Sequence, residues 1–129
     1  MAFLGVGSNL SEIQARNEIL KAAVAMGRYG ALRASDSYLT AGVGEKSVGL
    51  TYCNAVFELA TELSAGELAC VLKEYEVLRG RRHGERQVVI DLDLVVFNGD
   101  VLRPLDFVRS YFSRGYEALL AVEDDVSNL

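Results

Sequence analysis

Tryptophan is absent from this chain, and the 129 residues hold only one proline, one histidine and two cysteines. So little cysteine excludes a disulfide scaffold. Cys53 and Cys70 share no close metal-ligand spacing and sit in apolar patterns, so both read as buried, reduced thiols. No internal repeat or low-complexity stretch is present, which excludes repeat arrays and proline-rich linkers. No run reaches the roughly 18 apolar residues of a membrane span. The N-terminus lacks the basic region and long apolar run of a signal peptide, so a cytoplasmic location is expected. Basic residues number 13 against 18 acidic, a net charge of −5. That balance counts against a general nucleic-acid binder, which needs a basic face.

What is present is enough for one core. Half the residues are hydrophobic (50%) and 24% are charged, as in ordinary globular proteins, and a single domain over residues 1–129 is expected. A short buried strand is expected over residues 2–6, broken by Gly5, Gly7, Ser8 and Asn9. Ser11 with Gln14 makes a capping box, so a helix starts there. Its apolar stripe is read as Ile13, Leu20 and Val24, widened by Ile19, Ala23 and Met26, with a stop near Gly27. Strands are expected over residues 31–40 and 52–60, separated by a glycine-bearing loop over 41–50. A second helix opens on Ser64 with Glu67, carries Leu68, Val71, Leu72, Tyr75 and Leu78, and stops at Gly80. The strongest strand signal covers 88–97, followed by an Asn98-Gly99 hairpin turn. A short helix is expected over 115–122, then a frayed tail. The order strand, helix, strand, strand, helix, strand predicts an α+β, ferredoxin-like sandwich, with helices on one face of an antiparallel sheet.

Chemistry concentrates in the last of these strands. Alternation puts Ile90, Leu92, Leu94 and Val96 on a core face, and Val89, Asp91, Asp93 and Val95 on the other. Two carboxylates thus share one side, about 6.6 Å apart along the strand. Each raises the other's pKa unless a positive group compensates, and a hard cation held by oxygen ligands does so simply. The ordinary alternative is a solvated sheet face. The preceding loop carries Arg79, Arg81, Arg82, His83 and Arg86; arginine forks match phosphate oxygens, although charged loops are often only solvated. Gly5-Val6-Gly7 lacks the lysine of a P-loop and the third glycine of a dinucleotide motif, so it reads as a tight strand-to-helix turn. Tyr52 and Asn54 could stack on and hydrogen-bond a heterocycle, or be plain strand residues.

Together these segments resemble 6-hydroxymethyl-7,8-dihydropterin pyrophosphokinases. The resemblance is carried by Gly7-Ser8-Asn9-Leu10, Ser37-Tyr38-Leu39-Thr40, Tyr52-Cys53-Asn54-Ala55-Val56, Glu76 through Gly80-Arg81, and Ile90-Asp91-Leu92-Asp93-Leu94, in family order over residues 3–97. It implies transfer of pyrophosphate from ATP to the pterin hydroxymethyl group in folate biosynthesis, giving AMP. It also implies that Asp91 and Asp93 hold two Mg2+ ions, with Arg81 and Arg86 as further catalytic residues. Thr40, Gly44, Tyr52, Asn54 and Tyr116 would bind the pterin; Glu76, Arg81 and Arg114 would border the nucleotide. The implied partners are ATP and the pterin, with neither nucleic acid nor membrane, and the chain a monomer or weak homodimer. The chain departs from the family in lacking a tryptophan and a Gly-Pro-Arg before the aspartate strand. The family's histidine after that strand falls on Val108. Two alternatives stay open: a diverged homologue that binds pterin or nucleotide with little catalysis, and a ferredoxin-like interaction module.

Overall fold

The computed structural model describes residues 1–82 and 84–127, the last five as backbone only. The elements are β1 (Ala2–Ser8), α1 (Glu12–Met26), β2 (Gly30–Ala34), β3 (Tyr38–Ala41), β4 (Thr51–Thr61), α2 (Ala65–Leu78), β5 (Asp91–Phe97), β6 (Asp100–Val101), α3 (Pro104–Phe107) and α4 (Ser110–Ser127). The strands form one open six-stranded sheet in the order β2-β4-β1-β5-β6, with β3 also paired to β4. Every pairing is antiparallel. The α+β sandwich read from the sequence is therefore the observed architecture.

The two faces of the sheet bury different sets. Leu4, Val6, Ala55, Phe57, Leu59, Leu92 and Leu94 point to one face and pack with Ala15, Ile19, Ala22 and Met26 of α1 and Leu68 and Leu72 of α2. On the other face Phe3, Val56, Val95 and Val96 pack against Phe112 and Leu119 of α4. Helices α1 and α2 thus cover one face, as expected, and the C-terminal helix crosses the opposite one. That helix starts before the expected 115–122 segment and runs through part of the expected tail, whose residues 128 and 129 lie outside the described residues.

Several expectations need correction. The stripe assigned to α1 points outward: Ile13, Leu20 and Val24 are 77%, 64% and 79% exposed. Of the residues expected to widen it, Ile19 and Met26 are buried, and Ala15 and Ala22 complete the packed side. On α2, Leu78 is likewise exposed. Glycines 5 and 7 do not end the first strand; β1 runs through them to Ser8. The strand expected over 31–40 is two strands along the same edge of β4. At the break, the Ser35 hydroxyl accepts the Val56 N–H at 2.9 Å, replacing one ladder bond. A register shift where β1 meets β5 moves Val96 off the predicted core face and into the α4 cluster, because a bulge resets the period of two. Cys53 is buried as expected, but Cys70 is exposed.

The expected capping box at α1 forms only in part: the Ser11 hydroxyl accepts the Gln14 N–H at 3.4 Å and donates to Gln14 Oε1 at 3.1 Å. The signals at α2 act as read. Ser64 and Glu67 make a reciprocal capping box on α2. Its C-terminus closes with the Arg81 N–H on the Glu76 carbonyl and the Gly80 N–H on the Val77 carbonyl, both at 3.0 Å, a Schellman arrangement with Gly80 at φ +93°. Asn98 and Gly99 both take positive φ (49° and 85°) in the turn to β6, as a two-residue hairpin requires.

Helix α4 is seated by Gly115. A Cβ there would lie 2.6 Å from Val56 Cγ2 and 2.9 Å from Ser35 Oγ, whereas one at Gly66 on α2 would meet nothing within 4 Å. Gly115→Ala is therefore expected to lower stability by about 1–3 kcal/mol through overpacking. Gly66→Ala should raise it by under about 1 kcal/mol by restricting the unfolded chain. Urea unfolding of the two variants checks the contrast.

Candidate active site

Strand β1 lies between β4 and β5, and on the face toward α4 its residues 5 and 7 carry no side chain. In register they sit beside Asp93 and Asp91 on one flank and Val56 and Asn54 on the other. A Cβ at Gly7 would come within 3.1 Å of Asn54 Oδ1. The bare stretch of β1 thus forms the floor of a cavity of about 250 Å³, whose walls include Thr40, Tyr52, Asn54, Asp91, Asp93 and Phe112. The other lining residues come from the loop after β3 and from the α3–α4 region: Ala41, Gly42, Val43, Arg103, Asp106 and Tyr111 among them.

Cations flank both aspartates. Arg81 Nη1 lies 3.1 Å from Asp91 Oδ1, Lys73 Nζ 3.3 Å from Asp93 Oδ1, and Arg103 Nη1 3.9 Å from the same oxygen. Asp93 is the more enclosed of the two, 20% accessible against 38%. Burial first, then the neighbouring Asp91 charge and hydrogen bond, push its pKa up to about 6 against the pull of Lys73 and Arg103. Asp93 is thus a carboxylate short of positive charge. Lys73 is displaced upward: burial pulls it down most, but Asp93 and Glu76 together outweigh that.

Behind the pair, Glu76 is 4% exposed. Its Oε2 accepts the Leu92 N–H at 2.7 Å and a Lys73 Nζ–H at 3.1 Å, and Lys73 also donates to the Leu92 carbonyl at 3.1 Å. Two side chains of α2 therefore satisfy both backbone groups of Leu92 on the outer edge of β5. Alongside runs a second groove, of about 320 Å³, lined by Ala65, Gly66, Ala69, Leu72, Leu94 and Leu102, with Lys73, Asp93 and Arg103 also bordering it.

The structure brings Thr40, Tyr52, Asn54, Asp91 and Asp93 into one cavity, with Arg81 at its edge on Asp91. Asn54 is buried and donates to Thr40 Oγ1 at 2.7 Å. The Tyr52 hydroxyl meets Ser47 Oγ at 3.1 Å and Asn9 Nδ2 at 3.4 Å. Other residues singled out in the sequence lie apart. Gly44 is exposed, and its neighbours 41–43 line the cavity instead. Tyr116 packs among Phe3, Phe107 and Phe112, stacked behind the last with centroids 5.4 Å apart. Arg114 sits over the Tyr38 ring, 4.6 Å from its centroid. Arg86 donates to the Val48 carbonyl at 3.0 Å, tying the 79–88 loop to the 41–50 loop. His83 lies outside the described residues. Sequence reasoning missed Lys73, Arg103, Asp106, Tyr111 and Phe112.

Asn9 explains the Gly-Ser-Asn-Leu segment. Its amide donates to the Arg86 carbonyl at 2.6 Å and accepts the Val88 N–H at 2.7 Å. It pins the loop that leads into β5.

Among the described residues no group of three or more His, Cys, Asp or Glu could hold a metal by itself. A magnesium site here would rest on two carboxylates plus ligand oxygens, which is how that ion is usually bound in phosphoryl-transfer sites. No helix among the described residues is long and apolar enough to cross a membrane. The family model of 7,8-dihydro-6-hydroxymethylpterin-pyrophosphokinase matches residues 3–120. No curated protein matches the chain.

Because the pKa of Asp93 is raised above its ordinary 3.8, to about 6, its contribution to folding is full below about pH 4 and is lost as pH rises through about 6. Asp93→Asn is therefore expected to stabilise the ligand-free protein at pH 8, on the order of 1–3 kcal/mol. The difference should shrink toward zero at pH 4. Urea titrations at the two pH values measure it.

Proposed function

The chain belongs to the 7,8-dihydro-6-hydroxymethylpterin-pyrophosphokinase family, and from that premise we propose that it transfers pyrophosphate from ATP to 6-hydroxymethyl-7,8-dihydropterin, giving AMP, as a step of folate biosynthesis. One observation carries this reading: the two cavities meet at Asp93 and Arg103, which line both. One cavity has aromatic and amide walls, and the other has an apolar trough ending in cations. A two-substrate transfer needs two ligand sites joined at a charged centre, with the reacting atoms brought together there.

In the first cavity, Asn54 and Thr40 offer amide and hydroxyl groups to a heterocycle's polar edge, and Tyr52 and Phe112 offer ring surfaces. A buried amide of this kind penalises a ring that cannot pair with it. In the second, Ala65, Gly66, Ala69, Leu94 and Leu102 leave room for a flat base, with Lys73 and Arg103 at the end nearest Asp93. Asp91 and Asp93 would hold magnesium, two ions by the family resemblance. Their hard oxygens, and the raised pKa of Asp93 that Lys73 and Arg103 only partly offset, fit that ion. When bound, it supplies charge neutralisation of the polyphosphate and alignment for in-line displacement. Arg81, Lys73 and Arg103 stand within reach of the same carboxylates, placed to contact phosphate oxygens. The pterin hydroxyl oxygen bonds the β-phosphorus as the bond to the α-phosphate oxygen breaks. AMP leaves with that oxygen, and the hydroxyl proton passes to water.

The test is AMP formation from ATP, magnesium and 6-hydroxymethyl-7,8-dihydropterin. Pterin-dependent AMP is expected, with a loss of at least about 10³-fold in kcat for Asp91→Ala and Asp93→Ala, since such electrostatic terms are among the largest in catalysis. Both variants should keep the wild-type circular dichroism spectrum, because both carboxylates face the cavity. Absence of AMP from the wild-type protein, with pterin and nucleotide still bound in calorimetry, would instead make it a diverged binder.

A further inference from the structure

Arg103 is the only cation that borders both cavities among the described residues. Its side chain is 50% accessible, so packing alone does not fix where the guanidinium points. An arginine so exposed would spread over several rotamers. Here its direction is set from one side. Arg103 precedes Pro104, the first residue of α3, and its carbonyl accepts the Phe107 N–H at 3.0 Å. Three residues on, Asp106 takes the Arg103 Nε–H on its Oδ2, and the Tyr111 hydroxyl donates to its Oδ1. Both carboxylate oxygens are thereby engaged, and Asp106 is only 18% accessible. With Nε held this way, Arg103 Nη1 faces Asp93 Oδ1 at 3.9 Å.

We infer that Asp106 and Tyr111 are positioning residues that hold Arg103 at the junction of the two cavities, where its guanidinium grips the polyphosphate of the nucleotide. The inference rests on the pyrophosphokinase reading. Asp106 and Tyr111 act through Arg103, so their effects on nucleotide binding depend on its presence. A residue that merely stabilised the α3–α4 turn would act whether or not Arg103 was there.

The experiment is a double-mutant cycle on the full chain, read by isothermal calorimetry with magnesium and a non-hydrolysable ATP analogue. Asp106→Asn is expected to weaken analogue binding about tenfold, and Tyr111→Phe about threefold, the scale of one charge-assisted contact misplaced. In an Arg103→Ala background, Asp106→Asn should change affinity by less than about twofold. Asp106→Glu should recover part of the loss that Asp106→Asn causes. Equal losses with and without Arg103 overturn the inference, as does unchanged affinity in both single variants. If Asp106→Asn fails to fold, Tyr111→Phe carries the same cycle. Should the wild-type protein bind no nucleotide at all, the pyrophosphokinase reading fails and takes this inference with it. A wild-type protein that binds, with uncoupled variants, removes the inference alone.

Discussion

The buried carboxylate of Glu76 is the interaction on which fold and site both depend. A carboxylate 4% exposed costs several kcal/mol unless hydrogen bonds replace its water. Here the Leu92 N–H and Lys73 donate hydrogen bonds at 2.7 and 3.1 Å, and the Arg81 guanidinium adds an ion pair at 3.8 Å. The need for them arises from topology. Strand β6 pairs only with Val96 and Phe97, so the outer edge of β5 is otherwise open beside the aspartates. An open edge must be covered or it recruits other strands. Glu76 and Lys73 cover it with side chains instead of a further strand. The same helix end then turns through Gly80, with the Arg81 N–H bonded to the Glu76 carbonyl, and Arg81 emerges beside Asp91. One residue thus anchors α2 to β5 and sets the cations beside both aspartates.

The opposite face shows how removing side chains builds a site. A sheet covered by a helix ordinarily fills the space between them, as Phe3, Val56 and Val95 do under Phe112. At Gly5 and Gly7 the filling stops, and polar groups from the two neighbouring strands face a common hollow. Helix α4 can come close only because Gly115 meets Val56, Ser35 and Tyr38 without a Cβ. The Tyr38 hydroxyl donates to the Tyr111 carbonyl at 2.7 Å and accepts the Gly115 N–H at 3.1 Å. Glycines on two elements therefore do opposite things: on β1 they open space, and on α4 they close it.

How much of this is legible in the sequence varies with the physics of each element. The aspartate pair is legible because an apolar face at 90, 92 and 94 forces 91 and 93 to the other side. The fate of Val96 is not, since a bulge leaves no mark in a run of valines. The caps of α2 can be read residue by residue. The packing side of α1 is only half legible, because apolar residues lie on both of its sides: Ile19 and Met26 are buried with Ala15 and Ala22, while Ile13, Leu20 and Val24 face outward. Gly5 and Gly7 carry a signal that normally means a turn, and only their register between β4 and β5 shows a floor. Arg103, Asp106, Tyr111 and Phe112 stayed hidden for another reason. They come from a segment whose helical pattern is mixed, and tertiary contacts bring them to the cavity.

Charge balance links these parts to the chemistry. Around the junction stand the carboxylates of Asp91, Asp93, Glu76 and Asp106, and against them the cations of Lys73, Arg81 and Arg103. With every group ionised the cluster is slightly negative, so a free polyphosphate gains nothing from entering and meets repulsion in a partly buried setting. The cations are spent on the carboxylates as long as nothing else neutralises them. A divalent cation held by Asp91 and Asp93, as proposed above, would change that balance, because the side chains now paired with those oxygens would become available to phosphate. On the proposed function, nucleotide and divalent-cation binding would therefore depend on each other electrostatically, and by linkage each would tighten the other to the same degree.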